Sequence, residues 1–247
     1  MVSDPDCIHL RAISSMATKA VLAELTAQFQ AHTGTSVEVV SVGGVDAARR
    51  VQAGEAFDAV LLASDAVQRL IDGGHLLGDS RCDWVDSPVA VAVAAGAPQP
   101  AIASEADLRA AVMAAPTLRY STGPSGVYLE QLFQRWGVLE SLRPRIVVPP
   151  PGTPVGTLVA QGQAALGFQQ LSELMALPGL SVLGCLPAEV AYITTFSAGV
   201  PTAVAQDAAR LARVRAFLHF LTSAGTLDTK RRHGMDWART SAPSAPH

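Results

Sequence analysis

The sequence predicts an α/β fold, a largely parallel sheet with helices on both of its faces. Two observations predict it. Apolar runs of strand length alternate with stretches of helical periodicity along nearly the whole chain. One of those runs, Pro88 to Ala95, carries no polar residue, and Val37 to Val42 is apolar enough to suit a buried parallel strand. Turns rich in Gly, Ser and Asp join the two kinds of segment.

Cys7 to Ile13 reads as the first strand, with Ser14-Ser15 after it. In the helix from Ala17 to His32, Val21, Leu22, Leu25 and Phe29 fall on one face, and Gly34 is placed to end it in a left-handed conformation. Val37 to Val42 is the second strand. Gly43-Gly44 follows, then a short helix from Asp46 to Val51. Phe57 to Leu62 is the third strand. Ala63-Ser64-Asp65 turns into a helix with Val67, Leu70 and Ile71 on its apolar face, ended by Gly73-Gly74. Pro88 to Ala95 is a strand of small apolar residues. Ser104 and Asp107 have capping-box spacing at a helix start.

A strand ending near Tyr120 enters Ser121-Thr122-Gly123-Pro124-Ser125-Gly126, and a helix from Val127 to Trp136 leaves it. Arg145 to Val148 reads as a strand, and Pro149 to Gly152 as a stiff turn. Val155 to Ala160 is helical, Ala164 to Gln169 a strand, and a helix begins at Gln170. Leu180 to Val182 is extended, and Val190 to Phe196 is a late strand. Asp207 to Leu221 is a helix with Leu211, Val214, Phe217 and Leu218 on one face.

Composition narrows the function. The chain has 247 residues, 49% of them hydrophobic, enough for a sizeable core. Only 16% are charged and the net charge is −3, so bulk charge draws in neither nucleic acid nor an anionic membrane. Aromatic residues, at 5%, are too few for a base-stacking platform. Cys7, Cys82 and Cys185 lie far apart and form no zinc-type pair, and the six histidines show no metal-ligand spacing. No metal and no cofactor is expected. No apolar run is long enough to span a membrane. The first residues lack the pattern of an export signal, so the chain is expected in the periplasm if such a signal has been removed and in the cytoplasm otherwise. The last residues, 237–247, read as a disordered tail.

The Ser121–Gly126 stretch stands where a strand hands over to a helix. Backbone N–H groups are unpaired there and the helix dipole is positive, so the turn suits an anion without any Lys or Arg. Hydroxyl residues at such junctions also serve as helix caps. Ser14, Ser15 and Ser64 occupy comparable junctions, as do Gly43 and Gly44, where glycine lets backbone approach a ligand closely. Lys19, Arg49 and Arg50 are the cations nearest these turns, the two arginines facing solvent by their helix position. No Gly-x-Ser-x-Gly elbow and no P-loop is present, which argues against a hydrolase or nucleotide-binding site.

The order Ser14-Ser15, Val42-Gly43-Gly44-Val45 and Gln52-Ala53-Gly54-Glu55-Ala56-Phe57-Asp58-Ala59-Val60-Leu61-Leu62-Ala63-Ser64 resembles the molybdate-binding-protein branch of the type II periplasmic solute-binding proteins. The likeness continues through the Tyr120 turn and Gly162-Gln163-Ala164-Ala165-Leu166-Gly167-Phe168 to the strand near Tyr192. It implies two α/β lobes, 7–86 plus 191–236 and 87–190, with a ligand cleft between them. The implied ligand contacts are Ser14, Ser15, Gly43, Gly44, Ser64, Ser121, Thr122, Ser125, Gly126, Gln169 and Gln170. A membrane complex of the ABC-transport type is the partner it implies for a transport role, and a monomer is expected.

This chain departs from that branch in three places. It has Gly43-Gly44 where the branch carries serine. It has Gln169-Gln170 where the branch places a tyrosine. The Tyr120–Gly126 turn is richer in hydroxyls. Those changes point away from molybdate and toward a small oxyanion or carboxylate. The branch also resembles aconitate isomerase, which shifts a proton between cis- and trans-aconitate, so an isomerase on the same fold is the alternative, with no catalytic residue assigned. A ligand sensor in the cytoplasm is a third reading.

Overall fold

The computed structural model describes residues 9–147, 149 and 153–239. In chain order the elements are β1 (His9–Ser15), α1 (Lys19–Thr33), β2 (Ser36–Val42), α2 (Gly44–Gln52), β3 (Ala59–Ala63), α3 (Ser64–Asp72), β4 (Cys82–Ala94), α4 (Glu105–Ala114), β5 (Leu118–Tyr120) and α5 (Pro124–Arg135). Then come α6 (Leu139–Leu142), α7 (Val155–Ala160), β6 (Leu166–Gln170), α8 (Leu171–Met175), β7 (Leu180–Cys185), β8 (Ile193–Gly199), α9 (Ala208–Leu221) and α10 (Leu227–Arg232).

The chain forms two compact units. One comprises the residues up to Asp86 and those from Thr195 onward; the other runs from Ser87 to Thr194. Both divisions fall inside strands, β4 and β8. The second lies four residues beyond the 190/191 boundary expected from the sequence.

In the first unit β1 is parallel to both β2 and β3, while β8 runs antiparallel to β3. The sheet is therefore mixed rather than wholly parallel, because β8 returns from the other unit instead of following a helical crossover. Leu10, Ala12, Leu22, Leu25, Phe29, Phe217 and Leu221 fill one core, and Ile13, Val51, Val60, Leu62, Val67 and Leu70 fill another. α1 ends as its sequence dictates: Gly34 has φ of 72° and returns its N–H to the Gln30 carbonyl. Asp58 is buried and accepts from the Arg11 backbone N–H and from the Arg210 guanidinium, tying α9 to the foot of β3. These bonds, and Phe57 lying under the Arg11 and Arg50 guanidinium groups, start β3 two residues later than its apolar run suggests.

In the second unit the strand order is β7-β4-β6-β5, with β4 antiparallel to β6 and β7 and β5 parallel to β6. Val89, Val91, Leu118, Leu129, Leu132, Phe133 and Phe168 form its main core. Ser104 caps α4 with Asp107 in a reciprocal capping box. β4 runs unbroken through Pro88.

Three expectations need correction. The described part of the expected Arg145–Val148 strand is not one: Arg143–Arg145 forms a 3-10 turn around Pro144, which has no N–H for a ladder, and Ile146 makes a single bridge to Leu118. Val148 and most of the Pro149–Gly152 run lie outside the described residues, as does Cys7. α5 begins at Pro124 rather than Val127, since proline is tolerated in a first turn; Ser125 and Gly126 are thus helical. Residues 237–239, assigned to a tail, are packed: Ala238 is buried and Arg239 donates to the Asp86 carboxylate, both from its backbone N–H and from Nε.

Candidate functional site

In the first unit the polar residues gather where β1, β2 and β3 end. Ser14 is fully buried, and its hydroxyl lies 2.8 Å from that of Ser41 on β2. Ser15 is half-buried and caps the 3-10 turn Met16–Thr18, accepting from the Ala17 N–H at 3.1 Å. The parallel register sets Ser14 opposite Ser41 and Ser15 opposite Val42, bringing the β1 junction level with Gly43 and Gly44. Gly43 is the N-cap of α2 and Gly44 its first residue. A β-carbon on Gly44 would meet nothing within 4 Å, so open space rather than packing surrounds it.

Ser64, at the start of α3, donates to the Thr195 carbonyl at 2.9 Å and accepts from Ser197 at 2.7 Å. Its hydroxyl is spent on β8. The two arginines near these turns are also spent. Arg49 pairs with Asp46, and Arg50 binds both oxygens of Glu55, at 2.6 and 2.7 Å. The hydrogen bond from Arg50 holds the Glu55 carboxyl down at about 2, with Arg11 adding to it.

In the second unit β5 ends at Tyr120, opposite Phe168, and β6 runs on to Gln170. The Ser121 and Ser125 hydroxyls lie 3.2 Å apart across the first turn of α5; Ser125 is buried and Thr122 exposed. Gly126 is required there by close approach, since an added β-carbon would lie 1.8 Å from the Ser121 carbonyl oxygen.

Gln169 and Gln170 are both buried at the end of β6, and alternation points them to opposite faces. Gln169 accepts from the Gly156 N–H at 2.9 Å and donates to Glu173 at 2.8 Å. Its amide braces α7 against α8 with both ends engaged, which weighs against the expected ligand contact. Gln170 donates to the Thr194 hydroxyl at 2.7 Å, and its carbonyl oxygen has no partner.

Glu173 escapes a motif search. Its carboxyl faces no cation, and burial outweighs the hydrogen bond from Gln169, pushing it up to about 7. The i,i+4 spacing of Gln169 and Glu173 is the only trace it leaves in the sequence. Among the described residues no cluster of three or more His, Cys, Asp or Glu could hold a metal ion. No described helix is long and apolar enough to cross a membrane.

The chemistry of this donor set is neutral: hydroxyls, amides and helix N-terminal N–H groups, with the nearby arginines already paired. Comparison with known proteins bears on the family and the fold. The sequence profile described as bacterial extracellular solute-binding protein matches residues 10–236. An aconitate isomerase from a Pseudomonas species is 33% identical over 222 residues, covering 87% of this chain and 82% of that protein. The periplasmic molybdate-binding protein of Azotobacter vinelandii superposes with a TM-score of 0.75 at 19% identity, over 93% of this chain and 100% of that one. The sulfate-binding protein of Mycobacterium tuberculosis H37Rv also gives 0.75, at 15% identity, over 95% and 89%. At such identities the last two speak to the fold alone.

Proposed function

The chain belongs to the bacterial extracellular solute-binding protein family, and from that membership we propose that it binds a small polycarboxylate of the aconitate class and isomerises it. The observation that carries this reading is the 33% identity, along 87% of the chain, with a protein named aconitate isomerase. The donor set supports it. Neutral amides and hydroxyls can spread over several planar carboxylates, and Gln170 at the end of β6 has an amide donor and an unpartnered acceptor.

The isomerisation needs no redox partner. A base removes a proton from the methylene carbon, and the C–H electron pair forms a new double bond to the central carbon. The old double bond then takes up a proton at the far carbon.

A second reading, binding without turnover, is supported by membership of a family described as solute-binding proteins. An ABC-transport membrane complex would then be the partner. Proton NMR of cis-aconitate incubated with the protein separates the two. Appearance of the trans isomer, with deuterium incorporated in D2O, is the expected result. A chain that is stabilised against heat by molybdate, tungstate or sulfate and leaves aconitate unchanged would be a binder of the second kind.

A further inference from the structure

The second unit carries two buried side-chain atoms without partners on one face of its sheet: the hydroxyl of Ser87 and the carbonyl oxygen of Gln170. Ser87 is 0% exposed, Gln170 5% and Thr194 5%. An unpartnered buried polar atom costs free energy, and two neighbouring ones that fail to pair with each other need a common explanation.

The strand register brings them together. Val89 pairs with Gln170 across β4 and β6. On the other side of β4, the Val89 N–H donates to the Tyr192 carbonyl, and Asp86 accepts from the Thr195 hydroxyl. These two contacts run β4 and β8 antiparallel and set Ser87 opposite Thr194. Directly opposed residues share a face, so Val89, Gln170, Ser87 and Thr194 all project to one side. Gln170 reaches Thr194 at 2.7 Å only by laying its carboxamide across β4, over Ser87.

As it stands the carboxamide donates to Thr194. Turned by 180° about its last bond, it would accept from the Thr194 hydroxyl instead and free its NH2 group. The Ser87 O–H and the Gln170 N–H would then both be donors on the same face, with Thr194 holding the amide in that sense. Such a pair matches the two oxygens of a carboxylate.

We propose that Ser87, Gln170 and Thr194 form a subsite for one carboxylate of the ligand and thereby set the preference for tricarboxylates over dicarboxylates. The assignment of Ser87 and Thr194 rests on the polycarboxylate reading above and deepens it. Gln170 is the contact; Ser87 is its second donor; Thr194 is a positioning residue that selects the amide orientation.

The test is calorimetric titration of the full chain with tricarballylate and with glutarate, which lacks the central carboxylate. Wild type is compared with Ser87→Ala, Thr194→Val and Gln170→Glu. Ser87→Ala and Thr194→Val are expected to weaken tricarballylate by roughly 10-fold each while changing glutarate less than about 2-fold, as loss of a single charge-assisted hydrogen bond predicts. Gln170→Glu, which sets a carboxylate against a carboxylate, is expected to weaken tricarballylate by at least about 100-fold. Melting temperatures of the unliganded variants control for folding, and the ratio of the two affinities within each variant removes any general loss. Equal effects on both ligands, or altered melting temperatures with unaltered affinities, would show a structural cluster or a buried water and overturn the subsite. Failure of wild type to bind any polycarboxylate would overturn both the subsite and the function on which it rests.

Discussion

The backbone of Gly126 passes so close to the carbonyl of Ser121 that a β-carbon there would lie 1.8 Å from its oxygen. No rotamer change relieves that clash, because both partners are backbone. Gly126→Ala should therefore force the Ser121 turn away from α5 and destabilise the protein by about 2–4 kcal/mol, at or above the usual range for overpacking. Thr122→Ala, on the exposed tip of the same turn, should change stability by less than about 0.5 kcal/mol. Urea unfolding of the two variants checks both values, and equal effects would refute the close-approach account.

The Glu173 carboxyl titrates near 7 in the folded protein because burial disfavours its charge. Its folded pKa lies above its unfolded one, so the native state holds the extra proton between about 4.5 and 7. That contribution is full below the lower value and is lost as pH rises through the upper one. Glu173→Gln keeps a partner for Gln169 and removes the titration. It should be more stable than wild type at pH 8 by about 1–3 kcal/mol, and equal to it near pH 4.5. Melting temperatures across that range test it; a constant difference would rule out Glu173 as the cause.

Lys230 presents the opposite sign. Its side chain is fully buried beside Trp237 and Trp84, with its amine donating to the Leu221 carbonyl at 2.7 Å. Desolvation brings its pKa down to about 8. The unfolded chain then binds more protons between about 8 and 10.5, and stability gains from this group as pH rises through that window. Lys230→Met should remove the gain, so the difference between variant and wild type should shift by about 1–3 kcal/mol from pH 7.5 to pH 10. Guanidinium unfolding at the two pH values is the measurement. No change in that difference would mean that the amine stays charged throughout.

Asp58 gathers the Arg210 guanidinium and the Arg11 N–H in a buried position. Asp58→Ala strands those donors and should cost about 2–4 kcal/mol, less than a fully enclosed pair because the Arg210 side chain is partly in water. Removing Arg210 as well should cost little more, since the two residues act on one contact. A double-mutant cycle in urea decides this, and additive losses would show that Asp58 and Arg210 act independently.

Much of the architecture was legible because it is local. Gly34, the Ser104–Asp107 box and the apolar face of α9 follow from neighbours within a few residues, and each forms as read. The family, too, could be read from the order of short segments along the chain. The residues at strand ends, among them Ser14, Gly43 and Ser121, were legible as candidates for the same reason: a strand–helix junction is a local pattern.

What side chains do at those junctions was decided elsewhere. Ser64 spends its hydroxyl on Thr195, 131 residues away, and Arg210 finds Asp58 across 152. β8 runs antiparallel to β3 because it comes back from the second unit, which no periodicity records. Gln169 and Gln170 are identical in sequence, yet one is braced at both ends and the other keeps an unpartnered oxygen. The sequence by itself determined most of the elements, their order and the family, since those depend on spacing along the chain. Only the tertiary structure decided which donors stay available and which carboxyl titrates near neutrality, because burial and hydrogen-bond partners depend on what lies beside a group in space.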